Sequence, residues 1–289
     1  MTHQQQPDFS VLGLRFMACE ASYDQAAVIL FGAPWDGTVS FRPGSRFGPA
    51  DMRQDSLGLE TYSPYQDLEL PEDKVRDIGD LELPMGGRDA SLERIGATVA
   101  TVLAAGKKPV MLGGEHLVSL PAVVACLAKW PDLCVLHFDA HADLREEYLG
   151  ETLSHATVMR RIWNKLGDGR IWQLGIRSGT ADEFAFARAG HVTLHPFDCE
   201  GLPAAVAAIG DRPVYLSIDL DVLDPSTFPG TGTPEPGGIT FLTLLRALLQ
   251  LRGMNIVGAD LVELAPHYDA SGVSTAVALK LLRELLILL

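Results

Sequence analysis

Short β-rich runs alternate with stretches of helical periodicity almost to the end of the chain. Ala27–Phe31, Val110–Leu112, Leu133–Phe138, Ile171–Leu174, Val214–Ile218 and Asn255–Leu261 read as strands. Between them Ala90–Ala105, Leu117–Ala128, Ala156–Lys165, Ala181–Ala189 and Thr240–Leu251 read as helices, and Val273–Leu288 closes the chain. Such alternation predicts a mostly parallel sheet covered on both faces. Gly32–Arg53, rich in Gly and Pro, reads as one long loop after the first strand, and long loops in compact domains are usually functional. No repeat, low-complexity tract or linker divides the 289 residues, so the expectation is a single domain, 1–289.

Ligands on parallel sheets collect beyond the carboxyl ends of strands, and polar residues fall there. Gly113-Gly114-Glu115-His116 follows one strand, Asp139-Ala140-His141-Ala142-Asp143 the next, and Asp219-Leu220-Asp221-Val222-Leu223-Asp224 a third, while Glu263 ends a fourth. Asp139, His141 and Asp143 are spaced i, i+2, i+4, which in extended backbone puts all three on one side; Asp219 and Asp221 repeat the arrangement. Two neighbouring strand ends would then aim four carboxylates and an imidazole at one small volume. Like charges so close raise one another's pKa steeply unless a cation neutralises them, and two divalent ions balance four aspartates. Oxygen ligands with a minority of imidazoles and no cysteine favour Mn²⁺ over Zn²⁺. Such ions typically sit about 3.5–4 Å apart with a hydroxide between them.

Other signals are weaker. The Asp219–Asp224 run hints at a calcium loop, but Leu223 and Asp224 occupy its fifth and sixth positions and Gly230 its twelfth, so the pattern fails. His137, deeper in its strand, reads as a hydrogen-bonded core histidine, and His191, His195 and His267 as surface or structural residues. Gly230-Thr231-Gly232-Thr233 opens like a dinucleotide loop, but Pro234 and Pro236 prevent a helix from following. The chain carries 23 Lys and Arg against 37 Asp and Glu, a net charge of −14, which repels phosphate backbones and anionic lipid and suits a cationic ligand or a metal. No apolar run reaches the roughly 18 residues of a membrane span. Met1–Ser10 has no export pattern. Cys19, Cys126, Cys134 and Cys199 form no Cys-x-x-Cys pair, so reduced thiols in the cytoplasm are expected.

Gly113–His116, Asp139–Asp143, Ser154-His155, Ser217–Pro225, Gly230–Gly238 and Asp260–Pro266, in this order, resemble the ureohydrolase family of arginases, agmatinases and their relatives, over about Gly32–Asp269. The resemblance implies a three-layer α/β/α sandwich around a mainly parallel, roughly eight-stranded sheet, and hydrolysis of a small cationic guanidino compound with two Mn²⁺ ions. It assigns His116, Asp139, Asp143 and Asp219 to one ion and Asp139, His141, Asp219 and Asp221 to the other. It makes His155 a proton shuttle, suited to titration near neutrality, Glu263 the partner of the guanidinium, and Asp143 the group that passes a proton to the leaving amine. Glu115 stands where the family more often has Asp before the first ligand, which touches only that ligand's surroundings. The loops containing Arg42-Pro43-Gly44 and Thr233–Gly238 resemble agmatinases more than arginases, and Arg145 stands where arginases keep an Asn. The implied reaction is agmatine plus water giving putrescine and urea, a polyamine-forming step, with arginine and guanidinobutyrate as alternatives. Glu146, Glu147 and Glu151 are either a long-range attractor for an ammonium tail or solvated surface, and an anionic tail could use Arg145 instead. A non-catalytic relative would be expected to lose ligands, and none is lost here. The family also implies a homo-oligomer, trimer or hexamer, with no nucleic-acid or membrane partner.

Overall fold

The computed structural model describes residues 11–12 and 14–289; Met1–Ser10, read above for export signals, lies outside the described residues. The strands are β1 (Val11–Leu12), β2 (Val28–Ala33), β3 (Tyr62–Ser63), β4 (Leu68–Glu69), β5 (Val75–Leu81), β6 (Lys108–Gly113), β7 (Cys134–Phe138), β8 (Ile171–Ile176), β9 (Thr193–Pro196), β10 (Val214–Asp219) and β11 (Ile256–Val262). The helices are α1 (Gly48–Asp55), α2 (Arg88–Ala104), α3 (Ser119–Lys129), α4 (Val158–Leu166), α5 (Ala181–Arg188), α6 (Leu202–Ile209), α7 (Phe241–Gln250) and α8 (Val273–Leu288). Among the described residues nine strands form one sheet in the order β1-β5-β2-β6-β11-β10-β7-β8-β9. Eight of them run parallel, and the two-residue β1 pairs antiparallel at the β5 edge.

Every residue of β2, β7, β8, β10 and β11 is buried, as expected of strands covered on both faces. Alternation along them feeds two cores. Leu30, Leu136 and Leu216 pack with Leu244 of α7 and Leu282 of α8 on one face. Ile29, Val135 and Tyr215 pack with Val99 of α2 and Val123 of α3 on the other. The three layers thus follow from period-two strands between amphipathic helices.

All six strands and six helices anticipated from the sequence are present. The reading of Gly32–Arg53 as a loop needs correction. Gly32 and Ala33 finish β2, a 3₁₀ turn covers Ser45–Phe47, and α1 begins at Gly48 with a proline in its first turn, where the missing N–H costs nothing. Strands β5 and β9 were not anticipated: β5 carries Arg76, Asp77 and Asp80 among its apolar residues, and β9 is a short, partly exposed edge. Helix α6, whose Pro203 lies in its first turn, was also missed. No described helix is long and apolar enough to cross a membrane.

The strand order has one consequence for chemistry. β6, β11, β10 and β7 are consecutive neighbours at the centre of the sheet. Their carboxyl ends therefore bring Glu115–His116, Glu263, Asp219–Asp221 and Asp139–Asp143 side by side.

Candidate metal and catalytic site

The sequence stretches that carry these residues do not stay extended. β7 stops at Phe138, and Asp143 has φ 53°, so alternation along a strand does not explain how Asp139, His141 and Asp143 converge. Asp219 ends β10, but Asp221 lies in a 3₁₀ turn over Leu220–Val222, started by the Asp221 N–H donating to Asp219 Oδ1 at 2.9 Å. The Ala140 N–H donates to Asp221 Oδ1 (3.1 Å) and the His141 N–H to Asp139 Oδ1 (2.5 Å). The carboxylates are thus oriented by backbone amides of the turns they occupy.

The imidazole of His116 sits among them. Its Nδ1 is 3.1 Å from Asp139 Oδ2, 3.2 Å from Asp219 Oδ2 and 3.4 Å from Asp143 Oδ2. His141 Nδ1 lies 3.0 Å from Asp221 Oδ2 and 3.5 Å from Asp139 Oδ1. Below the site a buried polar layer fixes the ring of His116. Tyr215 OH donates to Asp260 Oδ2 and Ser217 Oγ donates to Asp260 Oδ1, both at 2.7 Å. The hydroxyl hydrogen of Ser217 is thereby used, so its oxygen accepts from His116 Nε2 at 2.8 Å. That leaves Nδ1 to face the carboxylates, and once its proton is lost its lone pair is available to a metal, the arrangement of a ligating histidine with an outer support. Asp139, His141 and Asp221 form one group that could hold a metal, and His116, His137 and Asp139 another. His137, however, has both ring nitrogens engaged. Gln173 Nε2 donates to its Nδ1 (3.0 Å), and its Nε2 donates to Asp139 Oδ2 (2.8 Å). It supports a carboxylate, as a core histidine would.

Electrostatics shows the strain of so many acids. Burial first, then the charge of Asp139, pushes Asp143 up to about 7. Burial with Asp221 and Asp139 lifts Asp219 well above the ordinary carboxylate range, and burial with Glu115 and Asp221 does the same to Glu263. Burial opposes charge on His116, but hydrogen bonds to Asp139, Asp143 and Asp219 overcome it and raise its pKa well above the usual value. Protons are thus retained where positive charge is missing, and cations would replace them. The donor set of buried carboxylates and two oriented imidazoles fits divalent ions.

Glu263 has φ 67°, its side chain is buried, and its Oε1 accepts from the His116 N–H at 2.8 Å. The chain reaches it through Gly114, whose carbonyl accepts from the Glu263 N–H. A Cβ on Gly114 would come within 1.9 Å of the Trp35 carbonyl oxygen, so glycine is required there. A cavity of about 200 Å³ opens above the cluster, with His116, His141, Asp143, His155, Asp219, Asp221 and Glu263 in its walls. His155 titrates lower than the sequence suggests: burial and the nearby His141 bring it down to about 4, so it is neutral at pH 7. Its ring meets Tyr148 edge-on at 5.6 Å.

Of the two readings of Glu146, Glu147 and Glu151, the structure fits exposed surface. Glu146 pairs with Arg160 and Arg161, Glu151 pairs with Arg88, and none of Glu146, Glu147 and Glu151 lines the cavity. Arg145 does line it, with its Nε 3.6 Å from the buried Glu183 and its guanidinium over the Tyr148 ring. Glu235, inside the Thr233–Gly238 segment, is a partly exposed carboxylate beside His141: it accepts from Ser178 Oγ and lies 3.8 Å from His141 Nε2. Asp224 holds a turn instead, accepting from the Ser226, Gly237 and Gly238 amides. Gln173 and Thr38 were also missed, while Ser217 and Asp260 begin two of the matching segments but were given no role in the site. An adjoining cavity of about 570 Å³ has its charges already paired, Arg46 with Asp36 and Arg88 with Glu151.

Known proteins share this architecture. The model of the arginase family matches residues 26–288. An agmatinase of Bacillus anthracis is 47% identical over 97% of this chain and 98% of its own. A guanidinopropionase of Pseudomonas aeruginosa is 40% identical over 95% of this chain and 91% of its own. The crystal structure of the agmatine ureohydrolase of Thermoplasma volcanium superposes with a TM-score of 0.87 at 33% identity, covering 96% of this chain and 94% of that one. With matches of this length on a shared parallel-sheet fold, the chain belongs to the arginase family, whose members include hydrolases of C–N bonds in amidino compounds.

Proposed function

We propose that this single-domain chain is an agmatinase, hydrolysing agmatine to putrescine and urea with two Mn²⁺ ions. The observation that carries the reading is a surplus of buried carboxylate facing a cavity whose wall also presents Glu263. His116, Asp139, Asp143 and Asp219 would hold one ion and Asp139, His141, Asp219 and Asp221 the other. Bound there, the ions supply Lewis-acid charge that makes water nucleophilic near neutral pH.

Glu263 pairs with the planar guanidinium by charge-assisted hydrogen bonds and fixes its carbon for attack by water. Asp143 hands a proton to the departing amine, and His155 exchanges protons between the cavity and solvent. At the mouth, the charge of Arg145 is offset by Glu183, and Glu235 offers a carboxylate to an ammonium tail. Relatives named for agmatine support that tail. We place the protein in the cytoplasm as a homo-oligomer, trimer or hexamer, with a polyamine-forming role.

Arg145 in the cavity wall favours a second reading, a guanidino-acid hydrolase, consistent with the similarity to a guanidinopropionase. A urea-release panel with agmatine, arginine, guanidinobutyrate and guanidinopropionate decides between them. Agmatine should exceed arginine by several orders in kcat/KM, because burying an unpartnered carboxylate costs several kcal/mol and each ~1.4 kcal/mol is tenfold. Preference for the guanidino acids would overturn the agmatine assignment and leave the metal site standing.

A further inference from the structure

Thr38 lies in the segment between β2 and α1, outside every motif that marks the site, yet it touches two of the site's residues. Its N–H donates to Glu115 Oε2 at 2.7 Å, and its hydroxyl donates to Glu115 Oε1. Glu115 is completely buried beside the ligand candidate His116. On its other side, Thr38 Oγ1 accepts from the His155 N–H at 3.1 Å and lies 3.3 Å from His155 Nδ1.

A threonine hydroxyl has one hydrogen and two lone pairs. With the hydrogen given to Glu115, the oxygen has only lone pairs to offer His155. Nδ1 must then carry the hydrogen of the neutral ring, and Nε2 carries the lone pair. Among the described residues nothing hydrogen-bonds Nε2. A base oriented through its far nitrogen by a third group is the general arrangement of an activated acid–base pair.

We propose that Thr38, anchored by Glu115, is a positioning residue that holds His155 in the Nδ1–H tautomer with Nε2 free for proton relay. The proposal rests on the reading of His155 as the relay. It also gives Glu115 a purpose: an aspartate, one methylene shorter, would withdraw both carboxylate oxygens from Thr38.

The test is a double-mutant cycle in the Mn²⁺-loaded enzyme. Thr38→Val should lower kcat about 10–100-fold, the usual worth of an outer support, with KM and metal content close to wild type. Thr38→Ser should restore kcat to within about threefold. In the His155→Ala background Thr38→Val should cost nothing further, because its partner is gone. A wild-type kcat for Thr38→Val, a Ser variant as slow as Val, or an undiminished cost without His155 would each overturn the proposal.

If His155→Ala itself turns over normally, the relay reading fails and takes this inference with it. If His155→Ala is slow while Thr38→Val is not, only this inference fails. Nitrogen-15 NMR of the Mg²⁺-loaded protein, with the resonance assigned by its loss in His155→Ala, reads the tautomer without any turnover. The Nδ1–H form is expected, and the Nε2–H form contradicts the proposal.

Discussion

Two clusters of buried acids lie in this molecule in opposite company. On β5, Asp77 accepts from Arg53 Nε at 2.7 Å and Nη2 at 3.0 Å and also from the Phe16 and Gly79 amides, while Asp80 pairs with Arg53 Nη1. One guanidinium from α1 thus ties a helix to the sheet through all three of its nitrogens. Beyond β7 and β10, Asp139, Asp143, Asp219 and Asp221 have imidazoles, backbone amides and the Thr233 hydroxyl for partners, and among the described residues no Lys or Arg pairs with them. The first cluster brings its own cation. The second has no fixed cation and holds protons in its place, which serves a site that a cation must enter. A buried acid therefore does not by itself mark function; its missing counter-charge does.

The largest expected effect separates the clusters through activity. Asp219→Ala removes a carboxylate shared by both proposed ions, so metal content and urea release should fall together, the latter to the uncatalysed background. His155→Ala touches neither ion in the proposed assignment. It should keep its metal and lose on the order of 10²–10⁴ in kcat, with partial recovery on adding small imidazole, since the cavity is open to solvent. If it comes back without metal, His155 is a ligand and the coordination set is wrong.

Arg53→Met should do the reverse. It leaves Asp77 buried and unpaired, which costs about 3–5 kcal/mol, read as a lower midpoint in denaturant. Metal stoichiometry per folded chain should stay unchanged. A loss of metal with intact stability would erase the distinction between the clusters.

The clusters should also differ in how pH acts on the metal-free protein. Asp143 is raised to about 7, and Asp219 and Glu263 are raised as well. Between the ordinary carboxylate range near 4 and those raised values, the folded chain holds protons that the unfolded chain has shed. Stability of the metal-free protein therefore falls as pH rises through that window. Ions remove the penalty, so the gain in Tm on adding Mn²⁺ should be larger at pH 7.5 than at pH 5.5. A free ion at a hundredfold its Kd adds ~2.7 kcal/mol per site. An equal gain at both values would contradict the proton-retaining cluster.

The sequence carried the parallel sheet and the strand-end motifs because both depend on local pattern: apolar runs for β6, β7, β10 and β11, and acids directly after them. It misled over the route by which Asp143 and Asp221 arrive, since a left-handed residue and a 3₁₀ turn leave no trace in a period-two pattern. The glutamates at 146, 147 and 151 were legible as charge but not as ion pairs with Arg160, Arg161 and Arg88, which come from distant segments. Thr38 was hidden for the same reason: an ordinary residue in a long segment gains meaning only through what the fold sets against it. Strand β5 was obscured by the very charges that bind Arg53.

The measurement closest to the central claim is a Mn²⁺ titration of the chelator-stripped protein, with bound metal and urea release from agmatine followed on the same samples. Two ions per chain are expected, with activity absent at the start and complete when the second site fills. Full activity in a sample that elemental analysis shows to be free of metal would contradict the account.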